Sequence, residues 1–155
     1  MKPTSLTWNI ENKGATTIVI IQGSLDETTR LDPLFTLKGP LTFDLSGIAR
    51  INSHGVLKWE QFIHQLKDVK PIVFVRCSVA FMGPLNLLPT FCTNIAVKSF
   101  MAPYVCEATG EVQERLLEVA MLDPKNPPTF PCTGGILELD DSPQRYFAFL
   151  TRPKF

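Results

Sequence analysis

The chain changes its hydrophobic period repeatedly, and that alternation limits what it can fold into. Residues 16–22 read Thr-Thr-Ile-Val-Ile-Ile-Gln, a β-branched run suited to a buried strand. Residues 5–10 alternate weakly and pair with that run across a turn at 11–14. Residues 40–45 set Leu41, Phe43 and Leu45 on one face of another strand, and residues 71–75 and 95–100 add two more. Helical patterns lie between them. The strongest opens at Asn52 and Ser53, both good caps, and carries Val56, Trp59, Phe62, Ile63 and Leu66 as one apolar stripe. Residues 82–91 predict a second helix, with Pro84 near its first turn and Pro89 near its end. A shorter helix, capped by Asp26 and interrupted at Pro33, carries Leu31, Leu34 and Phe35. Strands alternating with helices predict an α/β fold, a mixed sheet joined in part by right-handed crossovers and covered by helices on one side.

The 155 residues suffice for one domain or a domain with an appendage, and 45% hydrophobic content supports a real core. Lys+Arg and Asp+Glu balance at 15 each, so no chain-wide charge draws nucleic acid or anionic lipid. No apolar run approaches the roughly 20 residues that span a bilayer. Residues 1–11 carry no charged-then-apolar leader. The expectation is a cytoplasmic protein whose four cysteines are thiols by default. Six of the 13 prolines follow Pro103, which signals a change of architecture there.

Several catalytic constellations are missing. The sequence has neither a Gly-rich phosphate loop nor a Gly-x-Ser-x-Gly elbow. His54 and His64 sit ten residues apart on one helix and cannot form a metal site together without outside ligands. Cys77 and Cys92 read as small buried hydrophobes. Asp140 and Asp141 suit a turn or a helix cap, and Trp8 and Trp59 lack the basic surroundings of a stacking platform.

Three motifs occur in order on these elements. Gly23-Ser24-Leu25-Asp26 follows the second strand, Asp44-Leu45-Ser46-Gly47 ends the next, and Ile51-Asn52-Ser53-His54-Gly55-Val56 opens the strong helix. Together they resemble the STAS family, the anti-sigma-factor antagonists of bacterial signalling, over residues 1–102. The resemblance implies a STAS-like sheet and a non-enzymatic module without a cofactor. It also implies docking to a protein partner, an anti-sigma kinase or another signalling protein, through Asp26, Asp44, Asn52, Ser53, His54 and Gly55. Ser53 stands at the position that the family phosphorylates. A phosphate at a helix N-terminus meets free backbone N–H groups, yet about two added charges would reshape a docking surface. The competing reading makes Ser53 a simple cap. Asn52 replaces the family's aspartate and His54 its small hydroxyl residue, so phosphorylation can have been lost.

Residues 103–155 resemble a zinc ribbon stripped of its ligands. Cys106 has Thr109 where a second cysteine is expected, and Cys132-Thr133-Gly134-Gly135 has Thr133 in place of another. Four N or S ligands are needed for a structural zinc, so no metal is expected. Strands are expected over 111–122 and 135–139, and a terminal helix over 142–150. Two replacements for the metal are open. Phe130, Tyr146, Phe147, Phe149 and Leu150 pack the tail onto the first domain, or Cys106 and Cys132 pair. Packing is favoured because cytoplasmic disulfides are rare.

The expected function is therefore a non-enzymatic regulatory interaction module, monomeric or weakly dimeric, without nucleic-acid or membrane partners. The alternatives are an unphosphorylated adaptor or scaffold, and a STAS-like module that binds a nucleotide or lipid.

Overall fold

The structure, a computed structural model, describes residues 5–151. Residues 1–4 and 152–155, the outer ends of the stretches read as 1–102 and 103–155 and the start of the stretch 1–11, lie outside them. Two sheets form. The first takes β1 (Thr7–Lys13), β2 (Thr16–Leu25), β3 (Leu41–Ile51), β4 (Ile72–Val75) and β5 (Ala96–Val97), in that spatial order. β1 is antiparallel to β2, and all other neighbours are parallel. The second sheet is antiparallel, with β6 (Ser99–Cys106), β7 (Val112–Glu118), β8 (Phe130–Cys132) and β9 (Gly135–Leu139) in the order β7-β6-β9-β8. The fold is thus mixed α/β.

The parallel ladder puts Val19 beside Phe43 and Phe43 beside Phe74. All three are fully buried, whereas Ile20, Asp44 and Val75 on the opposite face are half-buried. Helix α1 (Ser53–Gln65) lays Trp59, Phe62 and Ile63 on the buried face. Helix α2 (Val79–Leu87) adds Phe81, Met82 and Leu85 to the same core. Trp59 is where the two helices meet, 5.2 Å from the Phe81 ring and 6.3 Å from that of Phe43.

Several local expectations change. The stretch after Asp26 makes only a short 3-10 turn, Asp32–Leu34, because Pro33 cannot continue an α-helix from within. The second helix starts earlier, at Val79, where the Ser78 hydroxyl accepts from the Phe81 N–H. It ends at Leu87, and Pro89–Phe91 forms a separate 3-10 turn. The run 95–100 divides between the sheets, Ala96–Val97 ending one and Ser99 beginning the other. β6 consequently runs across position 102/103. β7 stops at Glu118, and the terminal helix is one turn, α3 (Pro143–Tyr146), followed by a 3-10 turn, Ala148–Thr151.

The cysteine expectation needs correction. Cys106 and Cys132 are disulfide-bonded, with Cα atoms 6.2 Å apart. β6 and β8 flank β9, and the sheet curls until these two ends meet. Aromatic packing is present as well. Phe100 contacts Tyr146, Phe147 and Phe149, and Tyr104 stacks edge-on against Phe130 at 5.1 Å. The Tyr146 hydroxyl donates to the Met101 carbonyl, and Asn86 of α2 donates to the Tyr146 carbonyl. Cys77 is buried as a free thiol, its pKa pushed up by desolvation, while Cys92 is half-buried. Thr109 and Thr133 are exposed turn residues. Among the described residues no helix is long and apolar enough to cross a membrane.

Candidate docking site at the start of helix α1

Asn52 caps α1. Its backbone is extended, and its side-chain oxygen accepts from the Gly55 N–H at 2.9 Å. Ser53 is the first helical residue, so its hydroxyl is spared from capping; it is exposed and makes no hydrogen bond with the described residues. His54 is exposed beside it. Gly55 is buried because the helix presses on the end of β2. A Cβ there would fall 2.0 Å from the Leu25 carbonyl oxygen, so only glycine permits this approach. That same carbonyl accepts the Asn52 N–H at 3.1 Å.

The loop after β2 forms the other wall. Asp26 accepts from the Thr28 N–H at 2.9 Å and the Thr28 hydroxyl at 2.6 Å, an Asx turn. The Thr29 hydroxyl accepts from the Asp26 N–H and donates to the Ser24 carbonyl. Two residues that the sequence patterns did not single out tie loop to helix. Glu27 accepts from the Asn52 amide at 2.8 Å, and Lys58 donates to the Glu27 and Thr29 carbonyls at 2.8 and 2.7 Å. No sequence pattern marked Lys58, whose partners lie 29 and 31 residues earlier in the chain. None marked Glu27 either.

These contacts set the electrostatics. The Thr28 hydroxyl and N–H hold the Asp26 carboxyl below the usual carboxylate range. The Asn52 amide does the same for Glu27. Both are lowered values, so their support for the loop is present above the ordinary carboxylate pKa and fades as pH falls through the depressed one.

Asp44 stands apart. It lies on the opposite sheet face, seven residues before Ile51 on β3, or roughly 20 Å along the strand. Its carboxylate pairs with Arg76 at 3.2 Å and accepts from the Ser46 hydroxyl at 2.8 Å. Asp26, Asn52, Ser53, His54 and Gly55 therefore come together, and Asp44 does not join them. Beside the group, Glu27, Arg30, Asp32, Phe35, Lys58 and Gln61 help line an open cleft of about 550 Å³. Among the described residues, no group of three or more His, Cys, Asp or Glu side chains is placed to hold a metal ion.

The cap assignment has a measurable consequence. Asn52→Ala should cost about 0.5–2 kcal/mol in urea unfolding, and Ser53→Ala should stay within about 0.5 kcal/mol of wild type. Equal losses for the two variants would mean that Ser53 shares the capping.

The sequence matches no protein-family model and no curated protein.

Proposed function

We propose that this protein is a non-enzymatic interaction module similar to the STAS antagonists, docking a protein partner through the β2–α1 end and switchable by phosphorylation at Ser53. The observation that carries the reading is the division of labour at α1. Asn52 closes the helix, and the Ser53 hydroxyl is left exposed beside unpaired N–H groups. A phosphate at this position would gain from the positive helix end without undoing the cap. It would also crowd the Glu27 carboxylate, which the Asn52 amide holds near the helix start. Asp44 drops out of the docking group in this reading. The mixed sheet with helices on its buried face supports the STAS likeness at the level of architecture.

Comparison of Ser53→Asp with Ser53→Ala tests the switch. Alanine should retain the partner captured by the wild-type protein. Aspartate should release it while the unfolding midpoint stays within the wild-type range. Retention by both variants would reduce Ser53 to a bystander and leave a constitutive adaptor.

A second reading rests on the cleft. Phe35 is an exposed aromatic at its wall, stacked on Phe62 at 6.1 Å, and Arg30 and Lys58 supply positive charge. The Glu27 and Asp32 carboxylates line the cleft as well, so a ring-bearing ligand with groups of both charges is the class that this lining suits. The proposal carries the expected cytoplasmic location with it. The disulfide argues the other way, because an oxidising compartment is where such bonds persist.

A further inference from the structure

Among the described residues, only one of the second sheet's two faces is covered. Directly paired residues share a face, and the pleat alternates them. Phe100, Ala102, Tyr104, Cys106, Leu117 and Leu137 fall on the inner face, and all are buried. On the outer face Met101 pairs with Leu116, Val105 pairs with both Val112 and Glu138, and Pro131 pairs with Ile136. Val112 is 60% exposed, and Leu116 and Ile136 are each 43% exposed. An antiparallel sheet normally turns polar residues to water on its open side. Here three exposed aliphatics and half-buried Met101 and Val105 occupy it, which is the pattern of an interaction surface.

The charges on this face have one sign. Glu114, Glu118 and Glu138 share the outer register and are exposed. The four strands contain a single basic residue, Arg115, which is turned inward with its guanidinium 4.0 Å from the centre of the Phe130 ring. At the Ser99 end, the Arg76 guanidinium is engaged by Asp44 and Ser46.

We infer that the outer face of the β7-β6-β9-β8 sheet docks an apolar, lysine- or arginine-flanked segment of a partner protein. Aliphatic side chains of the segment cover Val112, Leu116 and Ile136, and its basic flanks meet the three glutamates. The sign of the charge selects this occupant. A second copy of the chain would bring like carboxylates together about a two-fold axis. Anionic lipid and nucleic acid would be repelled. The inference is independent of the Ser53 reading, since the two surfaces involve different elements.

The test uses the full chain and a short amphipathic helical peptide of leucine and lysine. Backbone amide shifts recorded during titration should cluster on β6, β7 and β9 at Met101–Val105, Val112–Leu116 and Ile136–Glu138. A matched leucine–glutamate peptide should give no shifts there. The double substitution Glu114→Lys, Glu138→Lys should weaken the lysine peptide about tenfold or more, and added salt should weaken the wild-type interaction. Leu116→Ser should weaken it as well, with the fold intact by circular dichroism. The proposal is overturned if shifts are absent or lie elsewhere, or if both peptides bind alike. It is equally overturned if the free protein sediments as a dimer that Leu116→Ser dissolves, or if phosphatidylserine vesicles bind this face.

Discussion

Trp59→Ala should lower the unfolding free energy by about 3–5 kcal/mol. The indole is fully buried and stands among five rings, with Phe62 at 5.3 Å, Phe74 at 5.8 Å and Phe91 at 6.1 Å besides Phe43 and Phe81. Its Nε1–H also donates to the Phe91 carbonyl at 3.1 Å. Truncation would open a cavity between α1, α2 and the sheet and strip a buried carbonyl of its donor. Trp59→Phe keeps much of the ring contact and loses the donor, so it should cost less. Urea unfolding followed by far-UV circular dichroism measures both. A loss under about 1 kcal/mol for alanine would mean that this helix face is not the core.

Replacing Cys106 and Cys132 together by serine should cost roughly 3–4 kcal/mol, the loop-closure value for a loop of this size. The bond joins positions 26 residues apart and encloses β7 and the loop that brings Pro128 to the Tyr104 hydroxyl. Cys106 is almost fully buried, so a serine hydroxyl there adds a desolvation cost. Aromatic packing through Tyr146 and Phe147 should hold the terminal segment on α2, so the loss should appear first in the β8–β9 hairpin by hydrogen exchange. Thiol counting under denaturing, non-reducing conditions should find Cys77 and Cys92 alone. Four free thiols and an unchanged stability in the double variant would contradict the pairing.

The elements with strong periodicity were legible in advance. The Trp59 stripe and the β2 and β3 runs declare their buried faces because each repeats its period over enough residues. Short or divided runs were not. Residues 95–100 look continuous, yet tertiary pairing sends Ala96 to β4 and Phe100 to β7. The cap showed a similar limit. Asn52 and Ser53 are both good cap residues, and only backbone geometry distinguishes the extended Asn52 from the helical Ser53. Glu27 and Lys58 were invisible because their contacts cross 25 to 31 residues, the Glu27 carboxylate meeting the Asn52 amide and Lys58 meeting backbone carbonyls, and no motif encodes either. Asp44 was expected at the docking end from the STAS resemblance, in which Asp44-Leu45-Ser46-Gly47 would end its strand. The strand instead continues to Ile51, and the pleat turns Asp44 to the other face. The curl that brings Cys106 to Cys132 is likewise a property of four paired strands and of no single one.

The reading of the α1 end as a switch meets its most direct test in phosphopeptide mapping of the protein taken from its own cells. A phosphate localised to Ser53, with neighbouring Thr28 and Thr29 unmodified, is the predicted result. Complete coverage of that peptide with no phosphate under any growth condition would contradict it.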